Sequence, residues 1–239
     1  KYIATCCFTT LLSICTITVF AQNNSATSSQ YQTEEFLNSV KMNDVKAVKK
    51  ALSHGVSPNS MGVNGNSALA IAITEKSMDV IKILVDTPSI DLERPNLAGE
   101  TPVMMMAYND MYDLLVYLVD KRDVEINKPG WTALHYAATN GHERVATYLL
   151  DKHAYIDALS PNGTTPLMMA ARGGHIHVVK LLLDRGADLS KRNAMKMTAI
   201  EFAEQSNQSE IAAGLKSRWS KLYGLSLIHI SEPTRRRGI

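Results

Sequence analysis

Residues 165–190 read TPLMMAARGGHIHVVKLLLDRGADLS, and residues 132–154 read TALHYAATNGHERVATYLLDKHA. Placed one above the other, both stretches have an initial Thr, an Ala-Ala pair, a Gly-His step and a Val-x-x-x-Leu-Leu run at the same offsets. A Thr hydroxyl caps the start of a helix, and a Gly adopts the positive φ angle that ends one. Each stretch therefore predicts two short helices joined by a tight turn.

Two apolar positions recur along the chain with one common spacing. At both positions the successive steps are 34, 31, 33 and 33 residues. The first position is occupied by Leu69, Val103, Leu134, Leu167 and Ile200, and the second by Leu84, Leu118, Leu149, Leu182 and Leu215. Two separate positions that keep the same period are the signature of a stacked repeat array.

These motifs resemble the ankyrin-repeat family, and the resemblance covers residues 33–222. It implies an all-α fold, a solenoid of stacked helix-turn-helix units joined by β-hairpin-like loops. We expect this domain to span residues 33–224, with about six repeats of which the outer two act as caps. The loop before Thr132 is shortened, so the step to this repeat is 31 residues, two fewer than the family's usual period. The repeats from Ser67 and Thr101 keep only part of the family's TPLH signature.

Residues 1–21 differ in composition from the rest of the chain. They begin with Lys1, continue as an uncharged and largely apolar run, and end at Ala21, after which the polar segment 22–32 is expected to be a linker. A positive start, an apolar centre and a small residue at the exit are typical of a secretory signal peptide. We therefore expect export to the periplasm, with extracellular release or a lipid anchor at Cys15 as alternatives.

The three cysteines of the chain, Cys6, Cys7 and Cys15, all lie in this first segment. After removal of a signal peptide the mature protein would contain no cysteine, so its fold must be stable without disulfides.

Residues 225–239 read LSLIHISEPTRRRGI and fit neither the repeat period nor a helical stripe. The stretch LSLIHISEPTR can be encoded by a widely used transposase sequencing adapter read in frame. We interpret residues 225–239 as adapter read-through that is not native to the protein. The alternative interpretation is a basic arm for nucleic acid or a membrane surface.

The formal net charge of +2 comes from the two ends of the chain. Lys1 and Arg235, Arg236 and Arg237 supply four of the 25 basic residues, and Glu232 supplies one of the 23 acidic residues. The remaining 21 basic and 22 acidic residues carry a net charge of −1. A nucleic-acid binder needs a concentrated positive surface. We therefore expect no nucleic-acid partner. We also expect no membrane span in the mature form, and a monomer.

The sequence predicts neither catalysis nor a cofactor or metal site. No GxSxG, HExxH, P-loop or dinucleotide-binding motif occurs. The resemblance implies that His135 hydrogen-bonds within its turn and couples to Thr132, which is a structural role. His175 and His177 could bind a metal, but no third ligand at regular spacing supports such a site.

Five methionines occupy matching places on two predicted first helices: Met104, Met105, Met106, Met168 and Met169. Two interpretations remain open. The methionines either fill the space between repeats, or form an adaptable binding surface open to oxidation. Exposure of Met105 and Met169 would favour the second interpretation, and burial would exclude it.

The resemblance implies binding of another protein through the hairpin tips and the exposed face of the first helices. The expected tip residues are Asn64, Asn66, Glu100, Lys128, Trp131, Asn162 and Thr164, and the helix residues are Tyr108, Asn109, Thr139, Asn140 and Arg172. Trp131 is the strongest candidate, because Trp is favoured among binding hot spots, although it could instead pack across the next hairpin.

Two functions fit these features. The first is an exported scaffold or regulator that binds a partner protein resident in the periplasm. The second is a secreted effector or toxin-neutralising binder that acts on a host or competitor protein.

Overall fold

The computed structural model describes residues 29–224, so the expected signal peptide and the interpreted tail lie outside the described residues. The chain divides between Leu97 and Ala98 into two compact units, and each is described by itself.

The first unit begins with α1 (residues 29–41), α2 (Val45–Ser53), α3 (Ala68–Thr74) and α4 (Met78–Asp86). The start of α1 corrects the predicted linker, because residues 29–32 are helical. The polar sequence there shows no apolar stripe. Its helix is supported instead by hydrogen bonds between residues four apart, such as the one that the Thr33 hydroxyl donates to the Ser29 carbonyl over 3.0 Å.

The second unit contains four further helix pairs. They are α5 (Pro102–Tyr108) with α6 (Tyr112–Arg122), α7 (Ala133–Asn140) with α8 (Glu143–Asp151), α9 (Pro166–Gly173) with α10 (Ile176–Asp184), and α11 (Ala199–Gln205) with α12 (Ser209–Tyr223). In each pair the first helix is the shorter of the two, and a tight turn separates it from its partner.

Stacking in the second unit is carried mainly by the first helices, since α5 packs on α7, α7 on α9, and α9 on α11. The predicted alanines Ala137, Ala138, Ala170 and Ala171 are fully buried on α7 and α9. Side chains this small let neighbouring helix axes approach closely. The leucines and valines of the second helices complete the core, as Leu149 and Leu182 do with no exposed surface.

A polar side chain ties several loops to the loop of the following pair. Asn127 accepts from the Tyr155 backbone N–H at 2.8 Å and donates to the His153 carbonyl at 3.0 Å. Asn59 makes the same two bonds in the first unit, to Asp91 and Ser89. Asp157 accepts from the Asp188 N–H at 3.1 Å, but a carboxylate has no N–H with which to make the second bond. We call Asn59, Asn127 and Asp157 the loop brackets.

Within residues 29–224 the only β-type pairing outside helices is a single bridge between Met61 and Ser67. The connecting loops therefore turn back on themselves with few backbone hydrogen bonds, one of which joins the Ser160 N–H to the Thr164 carbonyl at 3.0 Å. The predicted all-α fold of repeated helix-turn-helix units is confirmed. No helix of the described residues is long and apolar enough to cross a membrane.

Candidate protein-binding surface

The entrance to each first helix of the second unit is fixed by the residue three positions after its N-cap threonine. That residue accepts a hydrogen bond from the threonine backbone N–H, and its chemistry changes from pair to pair. The acceptors are Met104 Sδ at 3.5 Å, His135 Nδ1 at 3.2 Å, Met168 Sδ at 3.4 Å and Glu201 Oε2 at 2.8 Å. We call these four residues the N-cap acceptors.

His135 makes the most extensive of these contacts. Its Nδ1 lies 2.9 Å from the Thr132 hydroxyl, and its Nε2 lies 2.9 Å from the Thr164 carbonyl of the next hairpin. Burial lowers the pKa of His135 from 6.5 to about 4, so the ring is neutral near pH 7. A neutral ring accepts at Nδ1 and donates from Nε2, which matches both contacts. The predicted coupling of His135 to Thr132 is confirmed, and the ring also joins consecutive hairpins.

The methionines are mostly buried. Met105 is 8% exposed and Met169 is half-buried, while Met104, Met106 and Met168 are exposed by 4% or less. The interpretation of an adaptable methionine surface is therefore wrong for all but Met169. Sequence reasoning also missed that Met104 and Met168 act as hydrogen-bond acceptors. The sequence did contain a signal for this role, because both methionines occupy the position in their repeats that His135 occupies in its own.

Three aromatic side chains form one cluster on α5, on α7 and in the hairpin that precedes α7. The ring centroid of Tyr136 lies 6.2 Å from that of Tyr108 and 6.3 Å from that of Trp131, with interplanar angles of 77° and 57°. Tyr108 is 48% exposed, and the other two are half-buried. The Glu100 carboxylate accepts a hydrogen bond from the Tyr136 hydroxyl. We call Glu100, Tyr108, Trp131 and Tyr136 the aromatic cluster.

The residues of this cluster also make contacts with their neighbours in the protein. Trp131 packs edge-to-face against His135 with centroids 5.2 Å apart. The Tyr108 carbonyl accepts hydrogen bonds from Asn140 Nδ2 at 2.8 Å and from His142 Nε2 at 2.9 Å. Burial and then the bond to Glu100 raise the pKa of Tyr136 above its ordinary value, so its hydroxyl stays a donor. These contacts position the Trp131 ring, the Tyr108 backbone and the Tyr136 hydroxyl.

The turn between α7 and α8 contains a glycine that lets His175 of the next helix pair approach closely. Gly141 has a φ of +74°, and a Cβ at this position would lie 2.3 Å from His175 Nδ1. His175 uses its other nitrogen, Nε2, to contact the Thr139 carbonyl at 2.8 Å. The close approach of His175 to Gly141 gives this ring a structural role. Within residues 29–224, no group of three His, Cys, Asp or Glu side chains could hold a metal ion.

The structure brings together three of the sequence-predicted binding residues, Glu100, Tyr108 and Trp131, through Tyr136, which was not predicted. Tyr136 lies on α7 one helical turn before Asn140, and no local sequence signal pointed to it, because its contact with Tyr108 joins residues 28 positions apart. Trp131 packs on His135 of its own repeat rather than being fully exposed. The contact observed is within its own repeat, and a role of Trp131 in binding a partner stays a prediction.

Several of the other predicted residues make hydrogen bonds within the protein, and the rest differ in exposure. Asn64 and Asn66 lie in the first unit, and there Asn64 Oδ1 accepts from the Asn66 N–H at 3.2 Å. Asn109 donates to the Met105 carbonyl, and the Thr139 hydroxyl donates to the His135 carbonyl. Asn162 and Arg172 are exposed, and Lys128 is half-buried.

Thr164 requires a correction. It was expected at a hairpin tip, but it is 1% exposed. Its backbone N–H donates to the Ser160 hydroxyl at 2.9 Å, and its carbonyl contacts His135. Thr164 is therefore part of the hairpin core and not of the surface.

Comparisons with known proteins agree with this architecture. A family model described as ankyrin repeats in three copies matches residues 36–128, 89–160 and 152–220. The human transient receptor potential cation channel subfamily A member 1 is 28% identical over 128 residues, which cover 52% of this chain and 11% of the channel. Inversin of Danio rerio is 37% identical over 71 residues, covering 28% and 7%. The chain thus spans about a tenth of the length of these curated relatives.

Two solved structures share the fold. One is a complex of the Bd0816 predatory endopeptidase from Bdellovibrio bacteriovorus with immunity protein Bd3460, in which the matching chain has a TM-score of 0.66 and 24% identity. That match covers 77% of this chain and 97% of the other. The other structure is the ankyrin repeat protein EF0377, with a TM-score of 0.65, 27% identity, and coverage of 75% and 94%.

Proposed function

Because this chain belongs to the ankyrin-repeat family, whose repeats are protein-interaction modules, we propose that it binds a partner protein through the aromatic cluster. The observation that carries the proposal is the half-exposed set of rings that contact one another around Tyr136. Tyr and Trp are the residues most often found at binding hot spots. A surface that is already ordered loses little conformational entropy when a partner binds.

We infer no chemistry for the protein itself. The buried histidine that most resembles a catalytic base is occupied on both ring nitrogens by contacts with Thr132 and Thr164. A general base must instead reach a substrate or nucleophile. Its role in the hairpins supports a binding scaffold over an enzyme.

We further propose that the protein works after export, as a scaffold or regulator for a protein of the periplasm. Support comes from the positive start, apolar centre and Ala21 exit of residues 1–21. If the protein is periplasmic, cold osmotic shock of the cells should release the mature chain. Recovery in the culture medium would instead favour the secreted effector or toxin-neutralising function.

The binding proposal is tested by a variant that removes the cluster without removing the fold. Trp131→Ala combined with Glu100→Arg is expected to abolish capture of cross-linked partners from the periplasmic fraction. Tyr155→Ala is the matched control, because Tyr155 is 65% exposed and lies outside the cluster. Circular dichroism is then used to check that both variants are folded. Unchanged capture by the folded double variant would contradict the proposal.

A further inference from the structure

A surface groove runs between α10 and α12, the second helices of the last two described pairs. Its volume of about 400 Å³ lies within the range of about 300–1,000 Å³ that is usual for binding clefts. Leu222, which is 59% exposed, lies at its edge near the end of α12. The floor is formed by buried apolar side chains, which are Val179, Leu183, Ile211 and Leu215. The residues that line this groove do not belong to the aromatic cluster, so the groove is a separate surface.

The groove is left open by a glycine in α12, at a position where the other second helices have a larger side chain. This position directly precedes the repeated leucine, and it is occupied by Tyr148 in α8, Leu181 in α10 and Gly214 in α12. Tyr148 lies against α6, where its ring centroid is 5.8 Å from that of Tyr112 and its hydroxyl donates to Asp120 Oδ1 at 2.9 Å. Gly214 has no side chain with which to connect α12 to α10 in this way.

Neither the packing nor the backbone of α12 requires a glycine at this position. Gly214 has no positive φ angle, and outside its own helix no atom of residues 29–224 would lie within 4 Å of a Cβ there. The backbones of α10 and α12 also approach each other less closely than those of α8 and α10. In a helix interior only proline is less favourable than glycine. The helix therefore loses stability at Gly214, and the open groove is what the structure shows in return.

One charged pair beside the groove is used within the protein. The Arg218 guanidinium donates to the Leu183 carbonyl at 3.0 Å and lies 3.3 Å from Asp184 Oδ1. The preceding interface has the equivalent ion pair between Arg185 and Asp151, at 2.8 Å. This pair therefore joins neighbouring second helices, and its two charges compensate each other.

The remaining charges of the groove favour an acidic ligand. Lys180 on α10 and Lys221 on α12 are exposed, and among residues 29–224 no carboxylate forms an ion pair with either. The third charge is Glu210, which precedes Lys221 by 11 residues and so lies about 16 Å from it along the helix axis. That separation exceeds the screening length of about 8 Å at physiological salt. Two ammonium groups thus face a ligand in the groove, against one distant carboxylate.

We propose that the groove between α10 and α12 binds an acidic amphipathic segment of a partner protein. An apolar side chain of the segment covers Gly214, and its carboxylates pair with Lys180 and Lys221. The apolar contact supplies most of the affinity, and the charges steer the segment and set its orientation. This surface is built from second helices, so the inference goes beyond the aromatic cluster and can fail without affecting the function proposed for that cluster.

The first variant fills the groove without disturbing the helix. Gly214→Leu gives α12 the residue that α10 has at the same position, and leucine favours a helix more than glycine does. We expect this variant to unfold at a higher temperature than the wild-type chain, which also checks that it is folded. Ala213→Leu is the matched control, because Ala213 is the adjacent exposed residue and does not line the groove.

The probe is a phage-displayed library of random peptides, selected on the full wild-type chain and depleted on Gly214→Leu. We expect the recovered peptides to combine an apolar residue with nearby Asp or Glu. They should bind Ala213→Leu as tightly as the wild-type chain, and Gly214→Leu about tenfold more weakly or worse. Recovery of no such peptide would overturn the inference, whether residues 225–239 or water fills the groove. Recovered peptides that lack acidic residues would overturn the assigned chemistry.

Two double variants separate the charges of the groove from the total charge of the protein. Lys180→Gln with Lys221→Gln is expected to weaken binding of the recovered peptides about fivefold, and less at high salt. Lys46→Gln with Lys49→Gln removes the same charge from exposed positions on α2 and is expected to have no effect. An equal loss in both double variants would contradict the pairing. A wild-type dimer in sedimentation that Gly214→Leu abolishes would assign the groove to a second copy of the chain and overturn the proposal.

Discussion

At the scale of single residues, the His135 ring shows how one buried side chain makes the fold sensitive to pH. Its pKa falls from 6.5 to about 4 because burial disfavours the charged form. The unfolded chain therefore binds a proton at this ring below pH 6.5, whereas the folded chain does not until about pH 4. The contribution of His135 to stability is full above pH 6.5 and declines as the pH falls from 6.5 toward 4.

We expect the free energy of unfolding to fall by about 2 kcal/mol more in the wild-type chain than in His135→Gln when the pH is lowered from about 8 to about 5. The variant is less stable at pH 8, because it loses the contact with Thr164, but it lacks the titrating ring. Urea unfolding at the two pH values measures the difference. Parallel pH dependence in the two proteins would show that His135 is not protonated on unfolding.

A second prediction at this scale concerns the sulfur acceptors. Met168→Leu keeps the size of a buried side chain but leaves the Thr165 N–H without its acceptor. Met169→Leu is the control, because it makes the same change at the adjacent, half-buried position. We expect Met168→Leu to be less stable than Met169→Leu by about 1 kcal/mol, the cost of one unmade hydrogen bond. Equal thermal unfolding of the two variants would show that the Met168 sulfur contributes nothing.

At the scale of the elements, the loop brackets differ in a way that can be tested. Asn127 both accepts from and donates to the following loop, whereas Asp157 can only accept. Burial, the largest effect on this carboxyl, raises the pKa of Asp157, so its charge opposes folding at neutral pH. By contrast, hydrogen bonding by Ser190 lowers the pKa of Asp188, whose charge favours folding.

Asp157→Asn and Asp188→Asn make the same chemical change, and we expect them to alter the free energy of unfolding in opposite directions. Asp157→Asn should stabilise the protein by about 1 kcal/mol at neutral pH, since the new amide can donate to the following loop as Asn127 does. Asp188→Asn should destabilise it. Both effects should shrink in acid, where the wild-type carboxylates are protonated in the unfolded chain. Chemical denaturation at neutral and acidic pH measures them, and a loss of stability in Asp157→Asn would contradict the bracket model.

The helices themselves could be predicted from the sequence, but the binding cluster only in part. Thr-Pro starts, Gly-His turns and the Val-x-x-x-Leu-Leu stripes are local signals, and α9 and α10 begin and end where those signals lie. Tyr136 gave no such signal, because a half-buried Tyr on a first helix is equally consistent with core packing. Its contacts with Glu100 and Tyr108 join residues 36 and 28 positions away, which no short motif specifies. Thr164 was misplaced for the same reason, since its burial depends on His135.

At the scale of the whole molecule, the net charge predicts that nucleic acid is not a partner. The chain carries a net charge of −1 once Lys1, the three tail arginines and Glu232 are set aside. We expect a protein of residues 29–224 to pass through a heparin column without retention in about 0.15 M salt, because its binding would release few counterions from the heparin. The full chain should be retained only if residues 225–239 bind polyanions. Retention of residues 29–224 would contradict the exclusion of nucleic acid.

The N-cap acceptors have a further consequence, because one backbone N–H is held by sulfur, nitrogen or oxygen in successive repeats. Acid protonates the imidazole and the carboxylate, but it leaves a thioether unchanged. An oxidant that reaches a transiently opened repeat acts mainly on the thioether. Acidification and oxidation should thus loosen different repeats first, so neither acid nor an oxidant alone would weaken the N-caps of all four helix pairs in the second unit.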